Sequence, residues 1–203
     1  MTTRRVTQTL IFDLGKVICP FEVLIPCRKL APMCGMEPMQ IKQSVFFGEP
    51  ETLFETGKID EHEFTRQVNR ALGLSLTTDQ LRDIWAPMFE LDHAMIALLE
   101  ELKPTTQLIL LSNTSPWHFA WIEQQFAVGR HFDELVLSYD VGYMKPAEPI
   151  YRAALDASRF RDTAVFIDDL QVNVEASVAA GLPAILFESE PKLREDLEQL
   201  GRL

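Results

Sequence analysis

Short apolar runs rich in Val, Ile, Leu and Phe recur along the chain and have the length of buried β-strands. They cover residues 8–12, 107–111, 134–138, 164–167 and 183–187. Amphipathic stretches with helical spacing separate the later runs, at residues 116–127, 147–158 and 172–180. This alternation predicts an α/β fold, in which a parallel sheet carries helices on both faces and the loops at the carboxyl ends of its strands form the site.

The stretch between the first two predicted strands breaks this alternation. It contains no convincing strand, and its helical segments are separated by Pro and Gly. These segments lie near residues 22–33, 38–47, 60–72, 78–88 and 92–103. We expect residues 20–103 to form a helical cap inserted after the first strand, and residues 1–19 together with 104–203 to form the core domain.

Length and charge limit the classes of partner. A chain of 203 residues can bury one substantial core together with a modest second subdomain. Its formal net charge is −11. Nucleic acids and anionic membrane surfaces bind positively charged protein surfaces, so neither is expected as a partner. A negatively charged substrate would need a locally positive pocket. Nothing in the sequence indicates an oligomeric state.

The cysteines and the amino-terminal segment indicate a cytoplasmic protein. Cys19, Cys27 and Cys34 are odd in number and have spacings that match no zinc pattern, so we interpret them as reduced, structural thiols. The first apolar run is interrupted by Asp13 and Lys16, which fits neither a signal peptide nor a transmembrane span.

Polar residues that could carry chemistry follow the apolar runs. Asp13 ends the first run, Ser112 follows the second, and Asp168 and Asp169 follow the fourth, with Lys145 between them. A carboxylate on the tip of a buried strand costs desolvation energy. Each residue also has an ordinary explanation, because Asp and Ser cap turns and helices and a lone lysine is usually solvated. Together they form one constellation.

Four segments carry a resemblance to a known family. They are Ile11–Val17 (IFDLGKV), Leu111–Thr114 (LSNT), Lys145–Pro146 and Phe166–Asn173 (FIDDLQVN). In order and placement they resemble the haloacid dehalogenase-like (HAD) hydrolase superfamily over essentially the whole chain. Within it they look most like the subgroup of bacterial α-D-glucose-1-phosphate phosphatases and the phosphatase domain of soluble epoxide hydrolases. This resemblance implies a Rossmann-like core, a helical cap after the first strand, and Mg²⁺-dependent removal of phosphate from small organic phosphates.

The chemistry that this resemblance implies centres on a nucleophile. Asp13 would attack phosphorus in line and form an aspartyl phosphate, and Lys145 would offset the repulsion between the carboxylate and the phosphate. Mg²⁺, the expected cofactor, prefers oxygen ligands, which Asp13, Asp169 and the backbone oxygen of Gly15 would supply. Asp168 belongs to the same acidic metal cluster.

Further residues of the motifs would surround this centre. The Ser112 hydroxyl and the Asn113 backbone amide would donate to the phosphoryl oxygens. Asp168 and Asn173 are better interpreted as groups that orient ligands or metal-bound water. His118, one turn into the helix after Ser112, could face the phosphate or a sugar hydroxyl, or it could be a half-buried helix histidine.

The sequence departs from the usual pattern at Gly15. Most phosphatases of the superfamily place there a second Asp that serves as general acid and base, a contribution of roughly 10²–10⁴-fold. The resembled subgroup shows the same Gly. An anomeric or aryl leaving group is more acidic than an alcohol and needs less proton assistance, so we expect such phosphates to be cleaved faster than alkyl phosphates.

The sequence therefore predicts a Mg²⁺-dependent phosphatase for a small phosphorylated metabolite such as a sugar phosphate. Two alternatives stay open. A haloacid dehalogenase uses an aspartate nucleophile without metal, and the Asp168–Asp169 pair argues against it. A catalytically weak or inactive HAD fold could instead serve as a binding or regulatory module after loss of the acid and base.

Overall fold

The structure is a computed structural model that describes residues 6–46 and 48–203. Residues 1–5 of the predicted core and Phe47 of the predicted helix 38–47 lie outside the described residues. Within the described ranges, no helix has both the length and the apolar character needed to cross a bilayer.

The described part of the chain contains a five-stranded sheet in the order β3-β2-β1-β4-β5, with every neighbouring pair parallel. The strands are β1 (Gln8–Phe12), β2 (Thr106–Ser112), β3 (Glu134–Leu137), β4 (Val165–Asp168) and β5 (Ala184–Leu186). Each of the five predicted runs lies on one of these strands, and the predicted α/β fold is confirmed. The apolar runs were sufficient because a parallel sheet buries both of its faces.

Helices account for most of the remaining described chain. Between β1 and β2 the helices are α1 (Leu24–Cys34), α2 (Pro38–Val45), α3 (Glu49–Glu55), α4 (Glu61–Leu72), α5 (Thr78–Trp85) and α6 (His93–Leu102). After β2 they are α7 (Pro116–Phe126), α8 (Ser138–Val141), α9 (Glu148–Ala157), α10 (Gln171–Ala179) and α11 (Glu190–Gln199). The sequence patterns missed α3, α8 and α11. These helices are short or strongly charged, so they show little apolar periodicity.

The two faces of the sheet have separate cores because side chains alternate along a strand. Leu10 and Phe12 of β1 pack with residues of α6, α7 and α11 on one face. Ile11 packs with residues of α9 and α10 on the other. This arrangement leaves the carboxyl ends of the strands free to carry polar residues.

A third apolar cluster joins helices α1 to α5 and includes Trp117 of α7. The Trp117 ring packs edge-on against Phe54 and Phe64, and its Nε1 donates to Glu61 Oε2 at 2.8 Å. Trp117 therefore connects the inserted helices to the layer of helices on the sheet.

The predicted division of the chain into a core domain and a cap at residues 20 and 103 stays a prediction. Since α6 packs against the sheet, the packing favours a boundary before that helix.

Candidate active site

Three neighbouring strands bring the predicted residues together. β1 lies between β2 and β4 in the sheet. Asp13, Ser112 and Asp168 therefore lie close together at the carboxyl ends of these three strands, where the strand order reverses. Lys145 reaches the same place from the segment between α8 and α9.

The Lys145 ammonium group is the centre of the site. Its Nζ lies 2.7 Å from Asp13 Oδ1 and 2.7 Å from Asp168 Oδ2, and it donates to the Leu111 carbonyl at 3.3 Å. Burial alone would lower the pKa of Lys145, but the two carboxylates outweigh it and raise this pKa above its ordinary value. The lysine therefore stays charged although it is almost completely buried.

The Asp13 carboxyl group is buried beside this ammonium group. Besides Lys145, its Oδ1 accepts the backbone N–H of Leu14 at 2.7 Å. The pKa of Asp13 is raised to about 7 as the net result of burial and the Asp168 charge, which raise it, and of Lys145, which lowers it. Added positive charge would favour its ionised form.

Asp168 has no exposed surface, and hydrogen bonds occupy both of its oxygens. Besides the bond to Lys145, Oδ1 accepts the Leu170 N–H at 2.8 Å, and Asn173 Nδ2 lies 3.0 and 3.1 Å from the two oxygens. Because these contacts hold Asp168 between Lys145 and Asn173, we interpret it as a residue that positions Lys145.

The side chains of Asp13, Asp168 and Asp169 form an acidic cluster. One carboxylate oxygen from each lies within 4.8 Å of the others. Burial, followed by the charge of Asp168, raises the pKa of Asp169, whereas Lys16 and Lys145 lower it. This cluster is compact enough for oxygens of all three residues to approach one divalent cation.

Ser112 ends β2 and Asn113 follows it, and both line the same cavity as Asp13. The buried Ser112 hydroxyl lies 3.3 Å from the Asn113 carbonyl oxygen. The Asn113 side chain has a role that sequence reasoning missed. Its Nδ2 donates to the Lys145 carbonyl at 2.9 Å, and the Lys145 N–H donates to its Oδ1 at 2.8 Å. Asn113 thus fixes the backbone that carries the lysine.

Gly15 also lines the cavity, and the reason for a glycine there is steric. A Cβ atom at this position would lie 2.9 Å from Cε1 of Phe21. The Phe21 ring, which packs against Phe89, occupies the space into which a longer side chain would extend. Neither aromatic residue was identified from the sequence.

The cavity has a volume of about 630 Å³ and extends from the acidic cluster to the helices between β1 and β2. His118 lines this cavity, a position that contact with a phosphate or a sugar hydroxyl would require. Its Nε2 is buried and has no hydrogen-bond partner in the described chain. Burial lowers the pKa of His118 to about 4, so the imidazole is neutral near pH 7. Lys42, Glu51 and Glu55 also line the cavity, and no sequence signal identified them.

Comparison with known proteins adds a sequence relative. A D-ribitol-5-phosphate phosphatase of Bacteroides thetaiotaomicron is 27% identical over 151 residues, which is 70% of this chain and 73% of that protein. A comparison with protein-family models gives no match.

Solved structures with the same fold include an enzyme of the HAD family from Bacteroides thetaiotaomicron in complex with magnesium and inorganic phosphate. It superposes with a TM-score of 0.80 at 22% identity, covering 90% of this chain and 94% of that one. L-2-haloacid dehalogenase from Xanthobacter autotrophicus has a TM-score of 0.63 at 15% identity, with 96% and 83% covered.

A HAD-family enzyme crystallised with magnesium and phosphate and a haloacid dehalogenase therefore share this fold, and the fold alone does not assign a reaction. The subgroup expected from the sequence stays a prediction. The chain therefore has the fold seen in HAD-family enzymes, and residues of its four motifs line one cavity of that fold.

Proposed function

We propose that this protein is a Mg²⁺-dependent phosphatase that hydrolyses a small phosphorylated metabolite, such as a sugar phosphate, through an aspartyl-phosphate intermediate. The observation that carries this proposal is the position of Lys145, whose Nζ lies 2.7 Å from Asp13 and 2.7 Å from Asp168 beside an open cavity. A buried carboxylate next to a fixed ammonium group is suited to attack a phosphate dianion.

The comparisons support this class of substrate. The sequence relative is named for a phosphorylated sugar alcohol, and a structure with the same fold was obtained with magnesium and inorganic phosphate. We infer that the substrate of this chain is likewise a small molecule with one phosphate group.

The donor set fits a magnesium ion. The cluster of Asp13, Asp168 and Asp169 offers hard oxygen ligands, and its carboxylates outnumber the nearby Lys145. Asp13 and Asp169 would hold the ion together with the backbone oxygen of Gly15, while Asp168 stays hydrogen-bonded to Lys145. When bound, the ion would neutralise phosphoryl charge and draw Asp13 toward its ionised form.

Each residue of the site would have a separate role in the reaction. Asp13 attacks phosphorus and takes the phosphoryl group, while the bond to the leaving oxygen breaks on the opposite side and that oxygen takes a proton from solvent. Lys145, the Ser112 hydroxyl and the Asn113 N–H stabilise charge on the phosphoryl oxygens. Water then hydrolyses the aspartyl phosphate and regenerates the carboxylate.

A dehalogenase is the weaker alternative because that reaction has no phosphate charge to neutralise. The carboxylate cluster would then only add repulsion around the nucleophile. The open cavity beside a buried ion pair likewise favours an enzyme over a module that only binds.

A phosphate-release screen tests the proposal. Wild-type protein, Asp13→Asn and Asp169→Asn are incubated with a panel of phosphorylated metabolites, with Mg²⁺ and with EDTA. We expect Mg²⁺-dependent release by wild-type protein, loss in Asp13→Asn, and a raised Mg²⁺ requirement in Asp169→Asn. Asp162→Asn, at an exposed position, serves as the control. Release of halide from a 2-haloacid, or no activity above Asp13→Asn on any phosphate, would contradict the proposal.

A further inference from the structure

We propose that the leaving group of the substrate is rich in hydroxyl groups and is bound by Glu51 and Glu55 of α3 together with His118 of α7. This inference rests on the proposed phosphatase function, because it concerns the part of the substrate that remains after the phosphate is removed. It assigns these three residues a role in substrate selectivity rather than in the attack on phosphorus.

Helix α3 places both glutamates at the wall of the cavity. They are one helical turn apart, so they share a face of the helix, and both line the cavity that also contains Asp13. The end of α3 lies against the core, since a Cβ at Gly57 would meet the Tyr139 carbonyl oxygen at 2.4 Å. This close approach places the end of α3 next to α8, which contains Tyr139.

The carboxyl groups of Glu51, which is buried, and of Glu55, which is partly buried, lie in one wall of the cavity. Burial and the charge of Glu51 raise the pKa of Glu55 well above its ordinary value. A ligand that forms a hydrogen bond with Glu55 would reduce the desolvation cost of that carboxyl group.

His118 supplies an independent observation that points to a ligand. It is only 3% exposed, yet its Nε2 has no hydrogen-bond partner among the described residues. Burial lowers the pKa of this ring, so it is neutral near pH 7, and the unpartnered Nε2 can exchange a hydrogen bond with a hydroxyl group of a ligand.

The wall thus combines carboxyl groups with an imidazole nitrogen that has no partner in the described chain, which suits hydroxyl groups because an O–H group both donates and accepts. Apolar side chains, including Phe46, Met88 and Phe89, line the same cavity and can cover the C–H surface of such a ligand. A polyol or sugar, which presents both hydroxyl groups and C–H surface, therefore fits this wall.

Selectivity measurements test this inference. Values of kcat/KM for α-D-glucose 1-phosphate and D-ribitol 5-phosphate are each divided by the value for phenyl phosphate, whose leaving group has no additional hydroxyl. We expect Glu55→Gln and His118→Phe to lower at least one of these ratios by roughly tenfold or more, mainly through KM. Glu49→Gln, at an exposed position in the first turn of α3, should keep the wild-type ratios.

The outcomes separate the two proposals. Unchanged ratios in both variants would overturn this inference while the phosphatase function stands, as would wild-type protein that hydrolyses only phenyl phosphate. Release of phosphate from none of the panel, including phenyl phosphate, would contradict the proposed function and with it this inference. Thermal unfolding of each variant shows that it is folded, and if one does not fold, the other decides.

Discussion

The side chain of Asn113 forms two hydrogen bonds with the backbone of Lys145, one as donor to its carbonyl and one as acceptor from its N–H. The two residues are 32 positions apart, so this pair joins the segment after β2 to the segment that carries the ammonium group. The position of Lys145 therefore depends on the side-chain amide of Asn113, which does not itself need to touch the reacting atoms.

Replacing Asn113 by Ala should lower kcat by roughly 10–100-fold, the range typical for groups that orient a site residue. The reason is that the Lys145 backbone loses both bonds and the ammonium group is less well fixed against Asp13. Steady-state kinetics on the best substrate of the panel measures the loss. Gln124→Ala, at an exposed amide on α7, is the matched control, and equal kcat values in the two variants would argue against this role.

The glycine at position 15 predicts a strong dependence on the leaving group. With no carboxyl group there to protonate the leaving oxygen, rates should rise as that oxygen becomes more acidic. We expect aryl and anomeric phosphates to be hydrolysed at least tenfold faster than simple alkyl phosphates. A plot of log(kcat/KM) against leaving-group pKa measures this, and a flat plot would refute it.

Gly15→Asp alone should not gain a proton donor. Its Cβ would meet Phe21 Cε1 at 2.9 Å, so the new carboxyl group and the ring compete for one space. We expect Gly15→Asp to lose activity and Phe21→Ala, combined with it, to recover part of the loss. Activities of both single variants and the double variant form the cycle that measures this coupling. Additive effects would show that the ring does not restrict position 15.

His118 predicts a pH dependence of stability. Its pKa is lowered from 6.5 to about 4, so below pH 6.5 the unfolded chain binds a proton that the folded chain rejects until about pH 4. The unfolding free energy is therefore unaffected by this group above pH 6.5 and falls as pH decreases toward 4, by about 3 kcal/mol in all.

Urea unfolding of the metal-free protein at about pH 7 and about pH 4.5 tests this prediction. His118→Phe should lose less unfolding free energy between the two pH values than wild-type protein. His93→Gln, at an exposed position, should behave like wild-type protein. The same loss in all three proteins would show that His118 is not the source.

The sequence predicted the sheet well because each strand is a continuous apolar run between polar ends, and β1 coincides with the run at residues 8–12. Asp13 and Asp168 were found for the same reason, since a carboxylate at the end of such a run stands out. The helices α3 and α11 were missed because their apolar residues are too few to show a period.

The rest of the site depends on contacts between distant segments, which a single sequence does not reveal. The bond between Asn113 and Lys145 and the position of Phe21 over Gly15 are of this kind. Glu55 sits in a charged segment and has no motif around it, so only its place in the cavity wall indicates a role. The catalytic and binding roles of the predicted residues stay predictions until they are measured.

The central claim is that Asp13 is transiently phosphorylated, and rapid-quench labelling tests it most directly. Wild-type protein is mixed with a substrate that carries labelled phosphate in the presence of Mg²⁺, quenched in acid, digested and analysed by mass spectrometry. We predict a phosphoryl group on the peptide that contains Asp13, formed and lost at rates consistent with turnover and absent from Asp13→Asn. Phosphate release by Asp13→Asn at the wild-type rate, or labelling of a different residue during turnover, would contradict the account.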